Sequence, residues 1–132
     1  MWFHTISSAL FGIGIDIVDT KRIKKIYSKY GIKFAKKILN DDEMDSFNTS
    51  KYKTSFLAKR FAAKEAIGKA CGIGILNGYL LKNISISHNK YGKPKVSFNK
   101  AKEFEIYSDK IIHITIADEK QYAIANALIL NK

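Results

Sequence analysis

Glu65 and Lys69 stand four residues apart in Arg60-Phe61-Ala62-Ala63-Lys64-Glu65-Ala66-Ile67-Gly68-Lys69-Ala70, a stretch rich in helix formers and free of proline. That spacing puts a carboxylate and an ammonium on one side of a helix. The surrounding alanines make the face too apolar for an ordinary solvated surface, so the pair suggests a site that handles a cation and an anion together. A second acid, Asp16, interrupts the β-branched run of Phe11-Gly12-Ile13-Gly14-Ile15-Asp16-Ile17-Val18, and Asp19 follows three residues later. Mg²⁺ takes one or two protein carboxylates and completes its octahedron with water and phosphate oxygens. Asp16 and Glu65 offer such a pair, with Lys69 to balance phosphate charge. Taken singly, an Asp in a strand or a Glu in a helix is more often structural, and Asp19 reads equally as the N-cap of a helix beginning near Lys21.

Other chemistries find little support. Gly12-Ile13-Gly14 lacks the third glycine of a dinucleotide fingerprint, and no G-x-x-x-x-G-K-[ST] phosphate loop occurs. The histidines His4, His88 and His113 form no i, i+4 pair, and Cys71 is the sole cysteine, which excludes a zinc set and an intrachain disulfide. Cys71 reads as a small packing residue near the end of a helix.

Positioning these groups takes one domain over residues 1–132, since the 132-residue chain shows no linker, repeat or low-complexity run. Residues 12–18 read as a strand whose continuous apolar run predicts burial on both faces. Helical spacing of Ile23, Ile26, Tyr27 and Tyr30 predicts a helix from about Lys21, with Gly31 as a stop. Phe34, Ile38 and Leu39 suggest a further helical turn. Asn40 is the candidate N-cap of the next helix, with Glu43 three residues on. A loop over 48–53 precedes the long helix, which runs from about residue 54 or 55 to Ala70 and closes at Gly72. Alternation at Ile84 and Ile86, the turn Gly92-Lys93-Pro94 and the returning Val96 and Phe98 predict a hairpin. A short helix over 101–107 and strands over 111–116 and 122–130 complete an α+β fold, a small antiparallel sheet packed with a long central helix.

The bulk composition points to the partner. Hydrophobic residues make up 46% and aromatics 12%, which argues for a folded globule, while the formal net charge is +11. The charge is concentrated: Lys21, Arg22, Lys24, Lys25, Lys29, Lys33, Lys36 and Lys37 come with no acid among them. Arg22, Lys25, Lys29, Lys33 and Lys36 fall on one stripe if the helix survives Gly31. A one-sign surface implies an acidic partner: nucleic acid, anionic membrane or an acidic protein. No run approaches the ~20 apolar residues of a membrane span, and the opening ten residues lack the basic start of a secretory signal, so a cytoplasmic protein without membrane association is expected.

The Gly-x-Asp strand around Asp16 and the F-x-x-K-E-A-x-x-K-A helix containing Glu65 and Lys69 together resemble the holo-acyl-carrier-protein synthases, a branch of the 4′-phosphopantetheinyl transferases. The resemblance spans about residues 11–130 and leaves 1–10, with Trp2 and Phe3, as an N-terminal extension. It implies the fold of those transferases. It also implies Mg²⁺-dependent transfer of 4′-phosphopantetheine from coenzyme A to a serine of apo acyl carrier protein, in fatty acid biosynthesis. Asp16 and Glu65 would then hold the metal, and Asp16, Glu65 and Lys69 would be the catalytic set. Arg60, Lys69, Gly72, Lys93, Pro94 and Asp118 would meet coenzyme A, with Lys93 near the adenosine 3′-phosphate. Arg22, Lys25, Lys29 and Lys37 would dock the acidic carrier protein. The family's homotrimer, with sites between protomers, is expected too. Asp118 stands where many relatives carry a histidine, so the general base is open among an ordered or metal-bound water, Glu65 and Asp118. The rival reading is a non-enzymatic nucleic-acid-binding module using the basic helix 21–37. No helix-turn-helix, RNP-like or aromatic-platform pattern accompanies it, and no nucleic-acid partner is expected.

Overall fold

The computed structural model describes residues 9–74 and 78–132. Of the N-terminal extension only Ala9 and Leu10 belong to this part; Trp2 and Phe3 lie outside it. The elements run β1 (Leu10–Asp19), α1 (Thr20–Tyr30), α2 (Ile32–Ile38), α3 (Asp41–Thr49), α4 (Lys53–Cys71), α5 (Tyr79–Asn83), β2 (Ile84–His88), β3 (Pro94–Phe98), a 3-10 helix (Lys102–Tyr107), β4 (Lys110–Asp118) and β5 (Tyr122–Asn131). The fold is α+β, as the sequence predicts. β1, β5 and β4 form an antiparallel sheet in that order, and β2 and β3 form a separate hairpin.

The core sits between the three-stranded sheet and α4. Leu57, Ala58, Ala62, Ala63, Ala66 and Ile67 of α4 are all fully buried, because strands cover one side of this helix and the shorter helices the other. Small side chains let the sheet come close. A Cβ at Gly12 would lie 1.8 Å from the Ala70 carbonyl oxygen, and one at Gly14 would lie 2.1 Å from that of Ala66. These two glycines therefore bring strand backbone onto helix backbone, a role their weak motif content does not suggest. Gly72, in the left-handed region at φ 77°, ends α4.

Three expectations are corrected. β1 is buried on one face only: Ile13, Ile15 and Ile17 are 63%, 61% and 59% exposed, while Gly12, Gly14, Asp16 and Val18 face α4. Among the described residues no element covers the isoleucine side, and an apolar run alone does not say which layer buries it. The basic stripe is not one helix. At Gly31 (φ 57°) the backbone leaves the helical path, its N–H donates to the Tyr27 carbonyl at 2.7 Å, and α2 starts as a separate helix at Ile32. The predicted loop over 48–53 shrinks to Ser50–Tyr52, because the Lys53 ammonium donates to the carbonyls of Phe47, Asn48 and Ser50 at 2.9–3.0 Å and draws the end of α3 against the start of α4. The short helix α5 carries no clear sequence signal, and the segment over 101–107 is a 3-10 helix held by Phe98 stacking on Phe104 and Tyr107.

Candidate active site

Alternation along β1 turns Asp16 toward α4, opposite the small Ala125 of β5. Its side chain is 16% exposed, and its Oδ1 lies 3.1 Å from Lys69 Nζ. Lys69 Nζ also donates to the Ile15 carbonyl at 2.9 Å. One turn earlier on α4, Glu65 faces the same space. Burial pushes its carboxyl above the usual carboxylate range and the Asp16 charge pushes it further, with Lys69 and Arg22 opposing. The two carboxylates thus repel each other, with Lys69 and Arg22 offsetting part of that repulsion. Lys69 is 52% exposed, so its contact with Asp16 is worth at most about 1 kcal/mol. It is free to exchange Asp16 for another anion. Among the described residues no group of three or more His, Cys, Asp or Glu side chains gathers. Two carboxylates and a mobile ammonium suit a hard divalent cation bridging to phosphate rather than a soft-ligand metal.

Asp19 is the N-cap of α1, accepting from Lys21 N at 2.9 Å, so it positions the basic helix and leaves the acidic pair to Asp16 and Glu65. Arg22, Lys25 and Lys29 are exposed on α1, and Lys37 on α2. Cys71, the last residue of α4, is half-buried with its thiol pushed up by burial, a packing residue as expected.

A second grouping lies away from the carboxylates. Arg60, Lys93, Pro94 and Asp118 line one cavity of about 720 Å³, together with Lys59 and His88. Asp118 accepts from Ser55 Oγ at 2.9 Å. The turn beneath Lys93 is fixed by Asn89 Oδ1, which accepts from the N–H groups of Tyr91 and Lys93 at 2.9 Å. His88 titrates below its ordinary value because of burial and then the charges of Arg60 and Lys59. The charged lining of this cavity is balanced, Lys59, Arg60 and Lys93 against Asp42, Glu43 and Asp118, with Glu43 already paired to Arg60. Four of the six residues expected to meet coenzyme A come together here; Lys69 stays with Asp16, Gly72 caps α4, and neither lines this cavity.

Arg60 is not a free surface cation. It is 5% exposed, its guanidinium stacks 4.5 Å from the Phe56 ring centroid, and its Nε lies 3.1 Å from Glu43 Oε2 in an ion pair whose N–H is not aimed at the oxygen. Glu43 is 2% exposed and also pairs with Lys64, which is fully buried. Burial pulls the Lys64 ammonium down to about 8 against the opposing pull of Glu43. Sequence reasoning assigned Glu43 only to the capping box, a role it does fill by accepting from Asn40 N at 3.2 Å. Its pairing with cations far along the chain has no spacing signature.

Residues 12–127 match the family model described as the 4′-phosphopantetheinyl transferase superfamily. The holo-[acyl-carrier-protein] synthase of Vibrio atlanticus is 44% identical over 123 residues, covering 92% of this chain and 98% of its own. The crystal structure of holo-[acyl-carrier-protein] synthase from Neisseria meningitidis superimposes with a TM-score of 0.83 at 37% identity, over 93% of this chain and 99% of that one. A Bacillus anthracis holo-(acyl-carrier-protein) synthase in complex with CoA (3′,5′-ADP) gives 0.80 at 31% identity, over 94% and 99%. With both motifs in place and near-complete coverage of each relative, the chain belongs to the 4′-phosphopantetheinyl transferase superfamily, in its holo-acyl-carrier-protein synthase branch.

Proposed function

We propose that this protein transfers 4′-phosphopantetheine from coenzyme A to a serine of apo acyl carrier protein in a Mg²⁺-dependent reaction, serving fatty acid biosynthesis in the cytoplasm. The serine oxygen forms a bond to the β-phosphorus of the pyrophosphate. The bond from that phosphorus to the bridging oxygen breaks, and adenosine 3′,5′-bisphosphate leaves. The observation that carries this reading is the electrostatic coupling of Asp16 with Glu65, beside a half-exposed Lys69 that lies 3.1 Å from Asp16. Asp16 and Glu65 would hold Mg²⁺, which when bound neutralises charge on the phosphate oxygens. Lys69, released from Asp16, meets the departing phosphate and stabilises the charge that builds there. Positioning and electrostatics account for most of the acceleration in such transfers. The serine proton goes to an ordered water, Glu65 or Asp118.

The cavity that gathers Arg60, Lys93, Pro94 and Asp118 supports a seat for the nucleotide end, with Arg60 and Lys93 toward phosphate. Arg22, Lys25, Lys29 and Lys37 form the docking surface for the acidic carrier, where complementary charge speeds encounter and sets orientation. We further infer a homotrimer. The bare face of Ile13, Ile15 and Ile17, joined across β5 by the 39%-exposed Ile124, supports burial against further copies of the chain. A site completed between protomers would unite the carboxylates of one with the cavity of another.

Intact-mass spectrometry of apo acyl carrier protein incubated with this protein, coenzyme A and Mg²⁺ tests the reading. The expected result is a phosphopantetheine-sized mass gain that disappears with chelator. No gain with several carrier proteins would overturn it.

A further inference from the structure

Lys64 and Glu65 are neighbours on α4, and one residue of helix turns the side chain by about 100°. Glu65 looks toward Asp16, and Lys64 looks the other way, into the body of the protein. There the Lys64 ammonium spends all three donors: on the Ile38 carbonyl at 2.8 Å, on the Leu81 carbonyl at 2.7 Å and on Glu43 Oε1. The first carbonyl ends α2, and the second belongs to α5. The other oxygen of Glu43 accepts from the Ile86 N–H of β2 at 3.3 Å and pairs with Arg60. A single carboxylate, 2% exposed, therefore binds α3, α4 and β2 into one knot.

Both halves of the site depend on that knot. The ammonium of Lys64 fixes the rotation and axial position of α4 at the residue next to Glu65, and so the aim of Glu65 and Lys69 at β1. The ion pair with Arg60 sits at Nε, an arrangement compatible with the terminal guanidinium nitrogens reaching an anion in the cavity that Arg60 lines. We propose that Glu43 is a positioning residue for the transfer reaction, aligning Glu65 and Lys69 through Lys64 and presenting the Arg60 guanidinium to the coenzyme cavity. The inference rests on the transferase reading above. It adds a residue at the wall of the cavity that is only 2% exposed and acts through Lys64 and Arg60.

The test is steady-state kinetics of Glu43→Gln beside wild type, with coenzyme A, apo carrier protein and Mg²⁺ each varied in turn and folded fraction measured by circular dichroism. Misalignment of supporting groups typically costs about 10–100-fold in activity or metal affinity. The expected result is a loss of that size in kcat/KM for coenzyme A, with raised KM for coenzyme A, a raised Mg²⁺ requirement and an unchanged KM for the carrier. A merely structural role predicts a fall in apparent kcat proportional to the folded fraction, with every KM unchanged, and that result overturns the proposal. If Glu43→Gln does not fold, Lys64→Met keeps Glu43 paired with Arg60 and cuts only the link to α4. The expected result is then a raised Mg²⁺ requirement, and a folded Lys64→Met with the wild-type Mg²⁺ requirement overturns the proposal. An inactive wild-type protein would remove the transferase reading and the positioning role with it.

Discussion

Two ion clusters share α4 and differ in almost every physical respect. Asp16, Glu65 and Lys69 lie at the surface, with a half-exposed lysine, two mutually repelling carboxylates and one weak contact between them. Glu43, Arg60 and Lys64 lie inside, with every ammonium donor of Lys64 used and side-chain exposures of 6% or less. The adjacent Lys64-Glu65 dipeptide contributes one residue to each. A buried, fully paired ion cannot leave without a large desolvation cost to its partners, so it serves as a fixed point. A half-exposed ammonium such as Lys69 exchanges partners at little cost, as the proposed metal and phosphate site would require.

The comparison breaks if the surface cluster turns out to hold the fold. Asp16→Ala or Glu65→Ala should abolish transfer, a loss of at least about 10³-fold, consistent with removal of transition-state charge stabilisation, while the thermal midpoint stays near wild type in a melting curve. A large drop in that midpoint would place the surface cluster in the structural class. Lys64→Ala and Lys69→Ala sharpen the contrast: denaturant titration should show a loss of about 3–5 kcal/mol for the first and under about 1 kcal/mol for the second. Equal losses would erase the distinction. Arg22→Glu with Lys25→Glu should raise KM for the carrier on the order of tenfold and flatten its salt dependence, leaving KM for coenzyme A alone. A change confined to coenzyme A would remove the docking role. The smallest effect concerns pH. Because Glu65 titrates above the ordinary carboxylate range, the charge proposed to hold Mg²⁺ is lost as pH falls through that raised value. The acid limb of kcat/KM should therefore lie above the usual carboxylate region and move to lower pH as Mg²⁺ is raised. An acid limb indifferent to Mg²⁺ would sever Glu65 from the metal.

The surface cluster is legible in the sequence because its chemistry is locally odd. Acids interrupting apolar runs at Asp16 and Glu65, with Lys69 one turn on, carry their own signal. The long helix and its Gly72 stop are legible for the same reason, as consequences of local propensity. Glu43 is not, because its meaning depends on Lys64 and Arg60, more than a dozen residues away, and a capping box already explains it. The cavity, assembled from α3, α4, the β2–β3 hairpin and β4, has no local signal either: its residues Arg60, Lys93, Pro94 and Asp118 come only through the family resemblance. The faces of β1 mislead because Ile13, Ile15 and Ile17 look the same in sequence whether their own chain or another copy covers them. Gly31 sits between these cases: it marks a stop, yet only tertiary packing decides whether the helix resumes on the same axis.

Gly12 and Gly14 carry one more consequence. Where side chains separate two elements, the gap between them can vary as rotamers exchange, and the separation of groups mounted on either side varies with it. Here main-chain atoms of β1 rest directly on the carbonyls of Ala66 and Ala70. Hard-sphere contact has no alternative rotamers to visit. The spacing between the supports of Asp16 and Glu65 is therefore stiff, with little thermal noise, even though the side chains they carry are free to change partners.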